Sequence, residues 1–292
     1  MTPDPADEAR HAPPAGPGAG DWSDAWQLDA WTPAGVGLTV RLALFPGLGR
    51  AWYWTHLVLP DLPGPVVVRD HDVPLPRAGL EVRAEGLWAE LWCETPLEHW
   101  TYGLEAFAVR LDDPADALAG ERGERVPFGV DLEWEATVPP PPHARARDAV
   151  RGYLLAGAVH GDVALGPSRF ELDARGAYRR SWGVDRPVAG TWSWCGGGPD
   201  EFVLAEGDGA GAADGFVWLG GAAAEPVRSA RAEMHGGGGR VVVDASLELA
   251  LDVIGAAPVP LGHGLVAQRA VCRATDADGR ATTGWWGRVE AG

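Results

Sequence analysis

Short stretches in which apolar and polar residues alternate follow one another along most of this chain. Residues 38–44 read LTVRLAL, the turn sequence PGLGR follows, and a second alternating stretch covers residues 51–59. Alternation with a period of two is typical of β-strands, and Pro and Gly favour the turns between them. This region is therefore predicted to form a strand, a turn and a second strand.

Segments of the same kind continue to the end of the chain, whereas only residues 115–119 and a few turns favour a helix. Many strands joined by Gly- or Pro-containing turns predict an all-β fold, arranged as antiparallel barrels or sandwiches. The further predicted strands are 66–69, 87–93, 99–111, 128–138, 151–165, 216–219, 227–234, 240–251, 266–275 and 282–289.

A run of four prolines, residues 139–142, is followed by the Arg-rich sequence HARARD. Proline cannot donate a hydrogen bond to a central ladder, so the run predicts a linker between two domains. The predicted division is a disordered tail at 1–20, an N-terminal β domain at 21–138, a linker at 139–148 and a C-terminal β domain at 149–292. Each domain then has an ordinary size.

The composition shows an excess of tryptophan, with 15 Trp against 4 Tyr and 6 Phe. A buried indole N–H needs an acceptor, so some of these rings are expected to line a cavity rather than only fill a core. Aromatic walls with a few polar groups are typical of pockets for apolar small molecules. The expected partner is therefore an apolar small molecule.

The formal charge of -17 disfavours binding to nucleic acids and to anionic membranes. No apolar run reaches the ~18 residues of a membrane span, so no membrane insertion is expected. The N-terminus lacks the pattern of a signal peptide, and the three cysteines are scattered without a C-x-x-C motif, which favours a cytoplasmic protein. The dispersed histidines predict no metal site and no cofactor. The oligomeric state is left open.

The strongest candidate site is the segment GAYRRSWGVDRPVAGTWSW, residues 176–194, which places tryptophans beside charged groups. An ion-paired guanidinium next to a tyrosine hydroxyl is suited to binding a carbonyl or carboxylate. The alternative is a salt-bridged barrel rim in which the tryptophans only pack the core. The candidate catalytic residues are Tyr178, Arg180 and Asp185, and the candidate ligand-binding residues are Arg179, Trp182, Arg186, Trp192 and Trp194.

Further candidates lie in the first predicted domain and near the C-terminus. Trp92, Trp100 and Tyr102 are expected to line the ligand cavity, and Trp286 is added from the last predicted strand. Glu105 facing such a cavity would have a raised pKa and act as an acid. The alternative is an ordinary solvated glutamate at the end of a strand.

Several motifs resemble one known family. They are GYLLAGAVHGDVALG, FELDARGAYRRSWGV, the Trp-x-Trp strand and ATDADGRATTGWWGRVE, together with GLWAELWCETPLEHWTYGLEAFAVRLDDP nearer the N-terminus. The pattern is similar to proteins with tandem lipocalin-like β-barrels. These include the AttH-like proteins, the bacterial carotenoid 1,2-hydratases (hydroxyneurosporene synthases) and the DUF7064 and DUF7065 groups of unknown function.

This resemblance implies two lipocalin-like barrels in tandem and a ligand of terpenoid, carotenoid, polyketide or fatty-acyl type. The reactions it implies are those of a hydratase or lyase, or of a cyclase or isomerase. Relatives commonly carry Arg-Asp-His before Ser-Trp-Gly, whereas this chain has Tyr178, Arg179 and Arg180 there. An arginine cannot exchange protons near neutral pH. A noncatalytic carrier therefore stays open as an alternative, and a carbohydrate-binding sandwich is a third.

Overall fold

The segments in which apolar and polar side chains alternate form long β-strands in the folded chain. The computed structural model describes residues 3–14, 19–138, 145–147, 150–184, 186–208, 213–220, 223–235 and 237–292. The strands form two large antiparallel sheets, and the prediction of an all-β fold is confirmed. Short 3-10 turns lie at Pro5–Glu8, Ala19–Asp21, Pro46–Leu48 and Pro114–Ala117.

The first sheet contains every described strand before residue 185. Its strands are β1 (Trp22–Trp31), β2 (Gly37–Phe45), β3 (Arg50–Val58), β4 (Val66–Pro74), β5 (Glu81–Ala84), β6 (Leu87–Thr95), β7 (His99–Leu111), β8 (Gly123–Ala136), β9 (Arg145–Arg147), β10 (Val150–Leu165) and β11 (Ser168–Val184). Their order is β4-β3-β2-β1-β11-β10-β8-β7-β6-β5, and β9 pairs with β10. Because β4 also pairs with β7, the sheet curls round into a barrel, which we call the first barrel.

The second sheet contains the remaining strands. They are β12 (Trp192–Gly197), β13 (Glu201–Gly207), β14 (Ala213–Leu219), β15 (Glu225–Pro226), β16 (Ala230–His235), β17 (Gly238–Val243), β18 (Leu247–Ala256), β19 (Val259–Gly262), β20 (Leu265–Thr275) and β21 (Ala281–Ala291). Their order is β15-β14-β13-β12-β21-β20-β18-β17-β16, and β19 pairs with β20.

The sheets divide the chain at a different place from the predicted linker. Strands β10 and β11, which the sequence assigns to the C-terminal domain, belong to the first barrel. The second part of β11 pairs with β1, from Trp22↔Val184 to Trp31↔Arg175. The change of sheet therefore falls between β11 and β12. Within the predicted linker, residues 139–144 and 148 lie outside the described residues, and β9 pairs with β10.

The predicted disordered tail also differs from the structure. Residues 3–14 are described, and the Pro5–Glu8 turn begins at Asp4, whose side chain accepts a hydrogen bond from the Ala6 backbone N–H. Glu8 is buried with 6% of its surface exposed. This segment packs on the first barrel because its backbone carbonyls and the Glu8 carboxylate find donors there.

The two sheets are joined by apolar packing and by buried polar contacts. Trp31 and Trp285 belong to a separate core cluster between the sheets. The Trp285 indole donates to the Ala30 carbonyl at 2.8 Å, and Arg269 pairs with Asp29 at 2.6 Å. The outer face of β1 is therefore covered by the second sheet, while its inner face belongs to the first barrel.

Candidate functional site

Strand β11 presents three of the predicted site residues to the interior of the first barrel. Tyr178, Arg180 and Trp182 are all buried, and they share one face because alternate residues of a strand point the same way. Arg179, between them, faces the second sheet and pairs with Glu206. The period of two thus separates the adjacent arginines into different environments.

Arg180 is completely buried, and protein groups hold its guanidinium. It pairs with Asp24 of β1 at 2.5 Å and donates to the Ala25 carbonyl at 3.2 Å. Its other donors bind the carbonyls of Asp7 at 3.0 Å and Ala9 at 2.7 Å. Its hydrogen bonds are thus shared between β1 and the N-terminal segment, residues 5–11. A buried guanidinium with its charge paired and its donors used is suited to anchoring that segment.

Aromatic rings pack on the same guanidinium. Its carbon lies 3.9 Å from the centre of the Trp26 ring and 5.2 Å from that of Trp182. A cation over an indole face gains electrostatic attraction that increases when water is excluded. The rings therefore stabilise a charge that an apolar interior would otherwise disfavour.

The Glu8 side chain places a carboxyl group in this interior. Its carboxylate accepts a hydrogen bond from the Tyr178 hydroxyl at 2.5 Å and one from the Leu97 backbone N–H at 3.1 Å. Leu97 has φ 66°, an unusual conformation for a leucine, in the turn between β6 and β7. Burial raises the pKa of Glu8, and the hydrogen bonds from Tyr178 and from Tyr153 only partly oppose that increase. Glu8 therefore holds its proton to a higher pH than an exposed glutamate.

The His11 ring packs on Trp182, next to the Arg180 guanidinium. The two rings are stacked, with centres 4.3 Å apart and planes 2° from parallel. The His11 Nδ1 atom lies 2.9 Å from an Arg180 nitrogen, and since a guanidinium only donates, Nδ1 accepts. The ring proton then sits on Nε2, which faces Asp7 at 3.4 Å.

The remaining walls of the interior are aromatic. The Tyr178 ring lies 5.3 Å from Trp100 and 5.2 Å from Trp134, and Trp100 lies 6.5 Å from Tyr102. Gly157 leaves room for the Trp134 ring, since a side chain there would come within 2.5 Å of its indole nitrogen. Burial raises the pKa of the Tyr102 and Tyr178 hydroxyls, so both stay protonated.

Several buried donors in this interior have no hydrogen-bond partner among the described residues. They include the Tyr102 hydroxyl and the indole nitrogens of Trp26, Trp100 and Trp134. Leaving a buried polar group unpaired costs about 1–3 kcal/mol, so native structures seldom leave several together. The interior therefore has unused capacity to donate hydrogen bonds to an acceptor.

The structure brings together five of the predicted site residues and places the others elsewhere. Those inside the first barrel are Trp100, Tyr102, Tyr178, Arg180 and Trp182. Trp192, Trp194 and Trp286 instead pack in the second sheet, where the rings of Trp192 and Trp286 stack at 5.9 Å.

Trp92, Glu105 and Arg186 lie outside both interiors. Trp92 is 55% exposed, and Glu105 is also exposed, because both lie on the outward face of their strands. Arg186 is exposed and pairs with Asp21. Asp185 lies outside the described residues. Thus neither Trp92 nor Glu105 lines the first barrel, contrary to expectation.

Sequence reasoning missed the residues that complete the site. Glu8 and His11 were assigned to the disordered tail, and Asp24, Trp134 and Tyr153 were not singled out. A local signal for the tail does exist, because Asp4 followed by Pro5 is typical of the start of a helical turn. Nothing local indicates that the turn docks against β11.

A group that could hold a metal ion is formed by His99, Glu133 and Glu135 on the outer surface of β7 and β8. Their ligand atoms lie within 4.8 Å of one another, and both carboxylates are exposed. His99 lies 3.6 Å from Glu133, so an ordinary ion pair accounts for part of the cluster. The absence of a metal site stays a prediction.

Solved structures share this arrangement of two sheets. An AttH protein from Nitrosomonas europaea matches with a TM-score of 0.60 and 12% identity, covering 92% of this chain and 92% of its own. Kievitone hydratase from Nectria haematococca matches with a TM-score of 0.58 and 9% identity, covering 92% and 89%. CghA, solved with Sch210972, matches with a TM-score of 0.56 and 12% identity, covering 92% and 87%.

These likenesses define the class of the protein as an AttH-like, lipocalin-type β fold, as the sequence predicted. More specifically, the chain belongs to the family described as "Domain of unknown function (DUF7064)", which matches residues 4–289. No curated protein matches the chain in sequence. In the part of the chain that the structure describes, no helix is long and apolar enough to cross a membrane. A cytoplasmic location stays a prediction.

Proposed function

We propose that the interior of the first barrel binds an apolar small molecule that carries an oxygen acceptor, and that the Glu8 carboxyl protonates this molecule. The observation that carries the proposal is the buried acid, which Tyr178 and Leu97 hold among aromatic rings. Burial raises the pKa of Glu8. A carboxyl that keeps its proton beyond the ordinary range is suited to general acid catalysis.

The unpartnered donors support an oxygenated ligand. A carbonyl, hydroxyl or ether oxygen would accept from the Tyr102 hydroxyl or from the indoles of Trp100 and Trp134, which removes the cost of leaving them unpaired. The aromatic rings would cover the apolar remainder of the molecule. Oxygenated terpenoids, carotenoids, polyketides and fatty-acyl compounds have this combination.

The proposed chemistry is protonation of a carbon-carbon double bond. Glu8 gives its proton to one carbon, and the positive charge that forms on the other carbon is stabilised by the nearby aromatic faces. Addition of water with return of a proton to Glu8 gives hydration. Loss of a proton from the adjacent carbon to the Glu8 carboxylate gives isomerisation. Attack by a second double bond moves the positive charge to a new carbon, and loss of a proton from its neighbour to the Glu8 carboxylate completes a cyclisation. The name of kievitone hydratase, one of the structural neighbours, is consistent with the first of these outcomes.

Access to the interior would require the N-terminal segment to move. Residues 5–11 cover Arg180 and Trp182 through the carbonyls of Asp7 and Ala9 and through the His11 ring. A short segment outside the strand ladders opens more easily than central strands. The segment would thus act as a cover that brings Glu8 into place when it closes.

The test compares the wild-type protein with Glu8→Gln after incubation with a lipid extract of the source cells. Mass spectrometry of the bound and released lipids is expected to show a hydrated or rearranged product with the wild type and unchanged bound lipid with Glu8→Gln. Glu105→Gln is the matched control, because it makes the same change at an exposed glutamate. Equal conversion by Glu8→Gln would contradict the role of Glu8.

A noncatalytic carrier is the second candidate, and it is favoured by Arg180. Its donors already bind protein groups rather than a ligand. Unchanged recovery of a tightly bound lipid from the wild type would support the carrier. Sugar binding has less support, because Trp92 is the one tryptophan with a mostly exposed side chain among the described residues.

A further inference from the structure

A cavity lies outside the first barrel, between its outer face and the turn that joins β19 to β20. Its volume is about 460 Å³, within the range of about 300–1,000 Å³ that is usual for small-molecule sites. We call it the intersheet cavity. The lining residues used below are Arg41, Phe45, Trp52, Trp54, Arg186 and His263.

The pairing of β2 with β3 builds one wall of this cavity. In the register of the two strands Arg41 lies opposite Trp54, and Ala43 lies opposite Trp52. The Phe45 and Trp52 rings lie 4.8 Å apart. Behind them the His71 ring stacks on Trp52 at 4.4 Å, and burial lowers the pKa of His71 to about 4, so that this ring is neutral. The wall is therefore a continuous aromatic surface.

Polar groups are placed at defined points on this wall. The Trp54 side chain is only 5% exposed, and its indole nitrogen has no hydrogen-bond partner among the described residues. The Arg41 guanidinium lies 5.4 Å from the Trp54 ring and donates to the Gln27 side chain at 3.0 Å. Arg186 lies at the exposed side, where it pairs with Asp21, which also lines the cavity.

The lining thus carries two arginines and one aspartate, in a chain whose formal charge is -17. The turn on the opposite side has an unusual backbone, with φ 78° at Gly262, 52° at His263 and 70° at Gly264. A non-glycine residue in the left-handed region is uncommon, and histidine is among the residue types that adopt it more readily. Aromatic faces, the Arg186 guanidinium and the unused Trp54 N–H donor are together complementary to a flat anion.

We propose that the intersheet cavity binds an organic anion with a flat aromatic body and one carboxylate. The aromatic body packs on Trp52 and Phe45, one carboxylate oxygen accepts from the Trp54 indole, and the carboxylate replaces Asp21 as the partner of Arg186. Strand β2 separates this site from the barrel interior, since Leu42 and Leu44 belong to the core of the first barrel while Arg41 and Phe45 line the cavity. The two sites therefore bind independently.

The probe for this proposal is 2-naphthoate, with neutral 2-naphthamide as its matched control. Isothermal titration calorimetry on the full chain is expected to show saturable binding of the carboxylate. Affinity for the amide is expected to be about tenfold weaker, because a charge-assisted hydrogen bond is stronger than a neutral one. No binding of 2-naphthoate, or equal affinity for the amide, would overturn the proposal.

Single substitutions test whether 2-naphthoate binds in the intersheet cavity. Trp52→Ala is expected to weaken naphthoate binding at least tenfold, and Arg186→Gln about tenfold, while Arg186→Gln leaves naphthamide binding unchanged. Arg169→Gln is the control, because Arg169 forms an exposed ion pair with Asp162 outside the cavity lining. Tyr102→Phe, inside the barrel, is expected to have no effect. Wild-type affinity in both Trp52→Ala and Arg186→Gln, or loss in Tyr102→Phe, would contradict the assignment.

Discussion

The interiors of the two sheets differ in chemistry although both are curled and antiparallel. The first barrel encloses a buried arginine, a buried glutamate and all four tyrosines of the chain, Tyr53, Tyr102, Tyr153 and Tyr178. The cluster inside the second sheet consists of aliphatic and Trp side chains with one cysteine. Among the described residues of that sheet the one buried charged side chain is Glu206, and it pairs with Arg179 of the first barrel.

This difference indicates where function lies. Burying an ion pair costs several kcal/mol in desolvation, and an apolar pair of similar volume is often as stable or more so. The second interior shows that this fold can fill a core without charges. The charged groups of the first barrel are therefore best explained by a role in catalysis or in docking the N-terminal segment. The second sheet is best explained as a structural support for the first barrel.

Removing Arg180 is expected to have the largest effect. Arg180→Met would leave Asp24 buried without its partner, which costs about 3–5 kcal/mol. Urea unfolding followed by circular dichroism measures the change. The double variant Arg180→Met with Asp24→Leu should recover part of the loss, and a double variant no better than the single one would contradict the pairing.

A large-to-small change in the second interior should affect stability but not the site. Leu249→Ala leaves a cavity in an apolar core, with an expected loss of about 2–4 kcal/mol. Binding of lipid extract components to the first barrel, measured by native mass spectrometry, is expected to stay at the wild-type level. Loss of that binding in a folded Leu249→Ala protein would remove the contrast between the two interiors.

Deleting residues 1–11 should uncover the first barrel at moderate cost. The deletion removes two carbonyl partners of Arg180 and the ring stacked on Trp182, with an expected loss of about 1–3 kcal/mol. Lipid association should become faster in stopped-flow measurements of tryptophan fluorescence. An unchanged association rate would show that residues 5–11 are not a cover.

The stability of the N-terminal segment should depend on pH through Glu8. Because burial raises the pKa of Glu8 above its ordinary 4.5, the folded protein holds this proton to a higher pH than the unfolded chain. The stabilisation is fully present below pH 4.5 and is lost as pH rises through the folded-state pKa. Hydrogen exchange of residues 5–11 should therefore quicken as pH rises, after correction for intrinsic rates. Glu8→Gln should abolish this dependence, and an identical profile would contradict it.

The smallest effect on stability is expected for Tyr102→Phe. The hydroxyl lacks a partner among the described residues, so its removal should change stability by less than about 1 kcal/mol, or increase it slightly. Affinity for the proposed ligand of the first barrel should nevertheless fall, because one hydrogen-bond donor to that ligand is lost. A strongly destabilised variant would show that the hydroxyl has a structural partner.

Local patterns predicted many of the strands and the faces within them, but the predicted strands left out β1, β11 and β13. Alternation placed Trp100 with Tyr102, and the same period puts Tyr178, Arg180 and Trp182 on one side of β11. Which side chains share a face depends only on the geometry of a strand over a few residues. The all-β fold and the central segment of the site could therefore be predicted from the sequence.

Long-range pairing could not be predicted in the same way. The pairing of Trp26 with Arg180 joins β1 to β11 and puts β11 in the first barrel, but it depends on the fit of the whole sheet. The four prolines gave a stronger local signal, so the domain division was predicted before β10, whereas the change of sheet falls after β11. The docking of Glu8 also depends on Leu97 and Tyr178, which no local pattern connects to the tail.

The hydrogen bond between Glu8 and Tyr178 has a consequence for biosynthesis. Its partners are 170 positions apart, so residues 5–11 are synthesised well before β11 and cannot dock until that strand has been made. The contact of Glu8 with Tyr178 is therefore among the late steps of folding. A chaperone or protease acting on the nascent chain would meet Glu8 exposed, whereas the folded protein buries it.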